Sequence, residues 1–203
     1  MLVALLGLLT ALVNAQNKTE ADLWVMAPMV ADAEETDYFV GLCRELGLRV
    51  PGVMAEVPSL ALVADQVLET ADFVSIGTND LTQYTLAVDR LNERVADLYQ
   101  PTHPSVLRLI QMTVAASRNA SIRVCICGEM AADIELTPLL VGLGLSELSV
   151  ASSQVARIKH AIRKLNAEEC RKLAEEIMQM GSAPEILAKT RTLAEAKYPE
   201  LFA

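Results

Sequence analysis

A rhythm constrains this chain more than any single motif: short apolar segments, each ending in a turn that carries polar residues, alternate with amphipathic helical stretches. The apolar segments are Leu23-Trp24-Val25-Met26 running to Pro28, Gly52 to Pro58, Phe73 to Gly77, Arg123 to Gly128, and Glu147 to Ala151. Asp32-Ala33-Glu34-Glu35 opens a helix that continues to about Leu46, and an apolar helix is expected from Ser59 to about Glu69. Strands that alternate with helices pair in parallel, which makes the chain an α/β sheet or barrel. A complete eight-stranded barrel takes roughly 250 residues. Five strand-helix units in 203 residues therefore predict a (β/α)8 TIM-type barrel of which the later strands, about five of eight, are present. The whole of 1–203 reads as one partial barrel domain. Its parts are a helix truncated at its start over 1–22, barrel strands and helices over 23–165, and a helical extension over 166–203. From Arg157 to Lys189 the pattern is helical and charged, with a break at Gly181-Ser182-Ala183-Pro184.

Composition narrows the partners. A net charge of −9 and a pI near 4.8 lack the basic footprint that a nucleic-acid binder needs, so any phosphate is bound locally. Cys43, Cys125, Cys127 and Cys170 have neither metal-ligand spacing nor the density of a disulfide scaffold, which points to a reducing, cytoplasmic compartment. Cys125 and Cys127 are expected on opposite faces of their strand and so as poor partners for each other. The apolar run Leu2 to Val13 has no Lys or Arg ahead of it and is too short to span a bilayer. It is read as a buried helix packed on the Leu23 to Met26 strand rather than as a secretory leader, and no membrane association is expected.

Polar residues gather just past the strand ends: Glu56, Asn79, Asp80, Cys127 and Glu129. Barrel and open α/β enzymes place their chemistry there. Glu56 and Asp80 occupy the same position in successive units, and two carboxylates converging from neighbouring strand ends can share one hard cation with substrate oxygens. Each acid taken alone is more often a helix N-cap or a surface acid; it is the pair that favours the metal. Asn79 can donate its amide to a phosphate oxygen or simply shape a turn. Arg90 offers a planar fork for phosphate or carboxylate, or else a solvated helix end. Cys127 can act as an acid or nucleophile, against the ordinary role of a small core residue. His103 and His160 show no partner pattern.

The run Gly77-Thr78-Asn79-Asp80-Leu81-Thr82-Gln83-Tyr84-Thr85-Leu86-Ala87-Val88-Asp89-Arg90 resembles the signature of enzyme I of the bacterial phosphoenolpyruvate:sugar phosphotransferase system. Val53-Met54-Ala55-Glu56-Val57-Pro58 resembles that family's metal-ligand strand, and Cys127-Gly128-Glu129 its catalytic cysteine segment. Tyr99-Gln100-Pro101 with Pro104-Ser105-Val106 also matches, and the similarity covers about Leu23 to Met178. The resemblance implies that Glu56 and Asp80 hold Mg²⁺, that Asn79 and Arg90 grip the phosphate of phosphoenolpyruvate, and that Cys127 protonates the enolate to pyruvate. It also implies a homodimer, a phosphohistidine domain N-terminal to the barrel, and through it a histidine-containing phosphocarrier protein. Pyruvate phosphate dikinase and phosphoenolpyruvate synthase are related enzymes, but their cysteine is usually followed by Gly-Gln, whereas Gly128-Glu129 stands here.

The sequence also departs from the family. The Gly-x-Thr-Ser-His segment of the phosphohistidine is not among these 203 residues, nor are the arginine-bearing strands of the early barrel. Where the family usually has another phosphate-binding arginine, before the strand that ends at Pro28, this chain has Leu12, Val13 and Asn14. Full turnover by this chain alone is therefore not expected, and a non-catalytic half-barrel serving interaction or dimerisation is the alternative. An open barrel leaves the Leu23 to Met26 edge unpaired, a route to association. Size-exclusion chromatography of the purified chain is expected to show oligomers; a compact monomer at all concentrations would contradict the open edge.

Overall fold

A computed structural model describes residues 2–19 and 21–202. The elements follow in the order α1 (Leu2–Thr19), β1 (Trp24–Ala27), α2 (Ala33–Leu46), β2 (Val50–Ala55), α3 (Pro58–Leu62), α4 (Ala64–Val67), β3 (Phe73–Gly77), α5 (Thr78–Leu86), α6 (Pro104–Asn119), β4 (Arg123–Cys127), α7 (Glu129–Ala132), α8 (Thr137–Leu143), β5 (Glu147–Leu148), α9 (Val155–Lys164), α10 (Ala167–Ile177) and α11 (Ala183–Lys197). The five strands lie side by side in chain order and every pair is parallel. Because the order never reverses, crossovers of one hand place their helices on one face and curl the sheet into an arc. The fold is thus mixed α/β, with the five-stranded parallel sheet of a partial (β/α) barrel.

The two faces of the arc differ. Val53, Ala55, Val74, Ile76, Val124 and Ile126 are all buried toward the helices and form the main core with residues such as Leu60, Leu107, Ile110 and Leu139. The alternate residues line the concave face, where Trp24 and Phe73 rings meet at 4.9 Å and the Arg123 guanidinium lies 4.9 Å from the Trp24 ring. Cys125 and Cys127 both belong to this concave face, while Ile126 between them is buried in the core. That corrects the expectation of opposite faces: side chains in a strand repeat every two residues, so positions i and i+2 share a side.

Local signals explain most boundaries. Asp32 caps α2 by accepting the Glu35 N–H at 2.9 Å, and the Glu35 carboxylate accepts the Ala31 N–H at 2.8 Å. Gly47, at φ 95°, ends the helix in the left-handed conformation that favours glycine. α1 extends past the apolar run to Thr19 and is not the buried helix expected: of its described side chains only Leu9 and Gln16 are buried, and Leu9 packs mainly on α2, with Phe39, Val40 and Cys43, and on Leu48. Buried Gln16 ties it down, donating to the Gly47 carbonyl at 3.0 Å and accepting the Arg49 N–H at 3.3 Å. Among the described residues no helix is long and apolar enough to cross a membrane.

The helix expected over Ser59 to Glu69 is instead two short pieces, α3 and α4, meeting at Val63. Neither has a side-chain cap, and burial of Leu60, Ala61, Ala64 and Val67 in the main core decides the path. The C-terminal region breaks near Gly181 and also at Leu165-Asn166, where Asn166 accepts the Glu168 and Glu169 N–H groups at 2.9 and 3.1 Å. Only Glu147 and Leu148 of the expected fifth strand pair with a neighbour.

α8 and α10 approach so closely that a Cβ added to Gly142 would lie 2.0 Å from the Cys170 carbonyl oxygen. Backbone cannot yield as a flexible side chain does, so Gly142→Ala is expected to destabilise the fold by about 1–3 kcal/mol. Urea unfolding followed by circular dichroism measures this directly.

Candidate functional site

The site is built at the carboxyl ends of β2, β3 and β4. Ala55 pairs with Ile76, Ile76 with Ile126, and Gly77 with Cys127, so the residues that follow each strand emerge along one line. Glu56 leaves β2 and is buried, at 4% exposure. Its Oε1 accepts the Met29 N–H at 2.8 Å. Met29 sits in the turn after β1 at φ 59°, a left-handed conformation uncommon for a residue with a Cβ.

Glycine makes room on both sides. A Cβ at Gly77 would lie 2.7 Å from Glu56 Oε2 and 3.0 Å from Met54 Sδ, so the bare backbone of β3 is the floor of the carboxylate cradle. A Cβ at Gly128, whose φ is 88°, would lie 2.4 Å from Thr78 Oγ1 and 2.9 Å from Asn79 Oδ1. The β4–α7 turn therefore closes against the start of α5 only with glycine there.

Thr78, Asn79 and Asp80 form the first turn of α5. Thr78 Oγ1 donates to the Cys127 carbonyl at 2.8 Å. Asn79 Oδ1 accepts the Glu129 N–H at 3.0 Å, and the Tyr99 hydroxyl donates to the Asn79 carbonyl at 3.3 Å. A backbone N–H can face only the oxygen of an amide, so this contact fixes which way Asn79 points and leaves its NH₂ as the free end. Asp80 faces Glu56, and the Arg90 guanidinium lies 4.0 Å from Asp80 Oδ1. Burial pushes the Glu56 carboxyl above its ordinary 4.5, the Met29 N–H pulls it down, Asp80 pushes it up again, and Arg90 draws it back in part.

Cys127 is the last residue of β4 and half-buried. Its Sγ lies 3.6 Å from Ser75 Oγ and 3.5 Å from the Ile76 carbonyl oxygen. Burial raises the thiol above its ordinary value, the Ser75 hydroxyl lowers it and the Glu56 charge raises it. The net direction is upward, so the group is a neutral S–H at pH 7: suited to giving a proton, poorly suited to nucleophilic attack.

All five sequence-predicted residues, Glu56, Asn79, Asp80, Arg90 and Cys127, thus lie about one set of strand ends. Glu129 contributes its backbone N–H while its side chain is exposed. His103 caps α6, and His160 meets Glu200 at 2.6 Å, both outside the site. Ser75 and Met29 have no role in the sequence reading, and Tyr99 enters it only within a matching stretch, without a role of its own. Ser75 carries a usable signal, a hydroxyl inside an otherwise apolar strand; Met29 carries none, because its contribution is a backbone N–H.

Residues 5–167 match the family model described as PEP-utilising enzyme, PEP-binding domain. The chain belongs to this family. The match takes in all five strands and the residues of the site. The chain is 48% identical over 136 residues to the phosphoenolpyruvate-protein phosphotransferase of Listeria monocytogenes, covering 67% of this chain and 24% of that protein. It is 40% identical over 192 residues to the same-named protein of Bacillus subtilis, covering 89% and 33%. It is 46% identical over 137 residues to the multiphosphoryl transfer protein of Escherichia coli, covering 68% and 16%. The chain thus spans at most about a third of the length of these relatives.

In this PEP-binding domain no group of three or more His, Cys, Asp or Glu side chains converges among the described residues. A hard cation would therefore have two protein carboxylates, Glu56 and Asp80, and would draw its other oxygens from substrate and water, as Mg²⁺ commonly does. The oxygen donors and the mutual repulsion of the two acids fit such an ion.

The raised Glu56 carboxyl has a consequence for stability. A carboxyl whose folded pKa exceeds its unfolded one binds more protons in the native state, so stability falls as pH rises above 4.5 toward and through the folded value. Glu56→Gln keeps an oxygen for the Met29 N–H and removes the charge. It is expected to melt higher than the parent at pH 7 and to lose that advantage below pH 4.5; thermal melts at the two pH values check it.

Proposed function

We propose that this chain forms the phosphoenolpyruvate and Mg²⁺ site of a phosphoenolpyruvate-protein phosphotransferase serving sugar uptake. The observation that carries the reading is the gathering of two carboxylates, a guanidinium, an oriented amide and a neutral thiol at three adjacent strand ends. Glu56 and Asp80 would hold Mg²⁺, which when bound offsets charge on the phosphoryl group. The Arg90 fork and the Asn79 NH₂ bind and orient the phosphate. The phosphoryl group leaves the enol oxygen for a histidine nitrogen on an N-terminal domain, and from there passes to a histidine-containing phosphocarrier protein. The enolate left behind takes the Cys127 proton at its methylene carbon and becomes pyruvate, and solvent restores the thiol. Ser75 and the Ile76 carbonyl position the sulfur for that transfer. In this reading the working molecule is a cytoplasmic homodimer.

A second reading has one observation in its favour. Among the described residues β1 and β5 each have one strand neighbour, and Trp24 and Met26 of β1 are exposed. A half-barrel acting only as an interaction or dimerisation module accounts for that surface.

Calorimetric titration of phosphoenolpyruvate separates the two. Binding that needs Mg²⁺ and weakens at least about tenfold in Asp80→Ala is expected from the proposed site, since about 1.4 kcal/mol of lost interaction already suffices. A folded chain that binds nothing with or without Mg²⁺ supports the module. Cys127→Ala is expected to keep phosphoenolpyruvate binding. Exchange of pyruvate methyl protons in D₂O, followed by NMR with Mg²⁺ present, is expected to fall by about 10²–10⁴-fold in this variant, the usual contribution of a positioned acid.

A further inference from the structure

The concave face carries a second feature beside the carboxylates: three sulfur atoms within one patch. Cys125 and Cys127 alternate on β4; the Ser75 hydroxyl stands 3.6 Å from Cys127 Sγ, and Ser75 is the register partner of Cys125. Met54 on β2 pairs with Ser75, and Ser75 with Cys125, so the three occupy one cross-strand row. Met54 Sδ lies over Gly77, 3.0 Å from where a Cβ would stand, and Gly77 is the register partner of Cys127. Glu56 shares that space, its Oε2 and Cβ lying 2.7 and 2.9 Å from the same point, so the thioether reaches β3 beside the carboxylate.

The spacing decides what these thiols can do with each other. Residues i and i+2 of a strand are about 6.6 Å apart, with their Cα–Cβ bonds nearly parallel. A disulfide needs Cβ atoms about 3.5–4.5 Å apart, so the pair cannot close one without moving the strand. A bridging cation asks for less: two metal–sulfur bonds of about 2.3 Å, the length in zinc thiolates, span about 4.6 Å between sulfurs. Zinc itself wants four nitrogen, oxygen or sulfur donors in a tetrahedron, whereas no group of three His, Cys, Asp or Glu side chains exists among the described residues. Two thiolates with a thioether is instead the donor set that favours Cu(I).

We infer that Cys125 and Cys127, with Met54 as a third donor, form a binding site for a soft monovalent cation of the Cu(I) class on the concave face of the sheet. Binding displaces the two thiol protons and involves no change of oxidation state. One consequence rests on the function proposed above: a cation held by Cys127 would take away the proton donor beside Glu56.

The probe is Cu(I) itself, titrated anaerobically into the full chain against a chromophoric Cu(I) chelator. One tight equivalent per chain is expected. It should weaken by about a hundredfold or more in Cys125→Ser and in Cys127→Ser, less in Met54→Leu, and not at all in the Cys43→Ser/Cys170→Ser double variant. Circular dichroism of each variant, with Cys125→Ala as a second truncation, separates loss of ligand from loss of fold. Cu(I) binding that survives Cys125→Ser, that follows Cys43 and Cys170, or that does not occur in the folded parent overturns the site. Magnesium-dependent phosphoenolpyruvate binding by Cys125→Ser is measured alongside. Its presence or absence tests the proposed function, while the copper stoichiometry tests the sulfur site, so the two can fail separately.

Discussion

The in-register parallel pairing of β2, β3 and β4 decides where every polar group of the site ends up. Ala55, Ile76 and Ile126 stand in one row across the sheet, and each strand stops within two residues of that row. A slip of one residue in β4 would turn Cys127 into the helix-packed core and bring Ile126 out to the cleft. Such a slip is opposed by the core itself, because Val124 and Ile126 are buried there with Val74 and Ile76. The hydrophobic face thus sets the register, and the register sets the site.

The cleft is built against the grain of stability. A buried carboxylate beside a second carboxylate is unfavourable to ionise, and the donor that eases it, the Met29 N–H, comes from a residue held in the left-handed region. That conformation costs a residue with a Cβ roughly 1–2 kcal/mol. Gly77 and Gly128 are each hemmed in by side chains of the neighbouring strand or helix, so neither position admits even alanine without displacing a site residue. Strain and charge gathered at one end of a sheet are where a ligand has most to gain by binding.

Much of this was legible in the sequence, and the failures have physical causes. The strand-helix alternation revealed a parallel sheet, and Asp32 with Glu35 announced the start of α2. The acids at the ends of β2 and β3 could be located because polar residues after apolar runs stand out. The roles of Ser75 and Tyr99 are not readable locally because their partners lie 52 and 20 residues away. The split of the Ser59 to Glu69 helix follows from burial against the rest of the core, which local propensity does not encode. The N-cap at Asn166 was readable from Asn-Ala-Glu-Glu, and the facing of Cys125 and Cys127 from the two-residue period alone.

The thiols show how one environment can have two chemical meanings. Burial raises Cys127 and Cys125 alike, which keeps both protonated and makes either a poor nucleophile at neutral pH. For an acid that must hold its proton until an enolate appears, this is the useful state. The same burial gives little protection from a soft cation, because the metal–sulfur bond itself drives the proton off. A single thiol would hold such an ion weakly. Cys125, two residues earlier on the same face, supplies the second anchor at a distance too long for a disulfide and short enough for a shared metal. The residue that most exposes the proposed proton donor to capture is therefore one that takes no part in the chemistry it would interrupt.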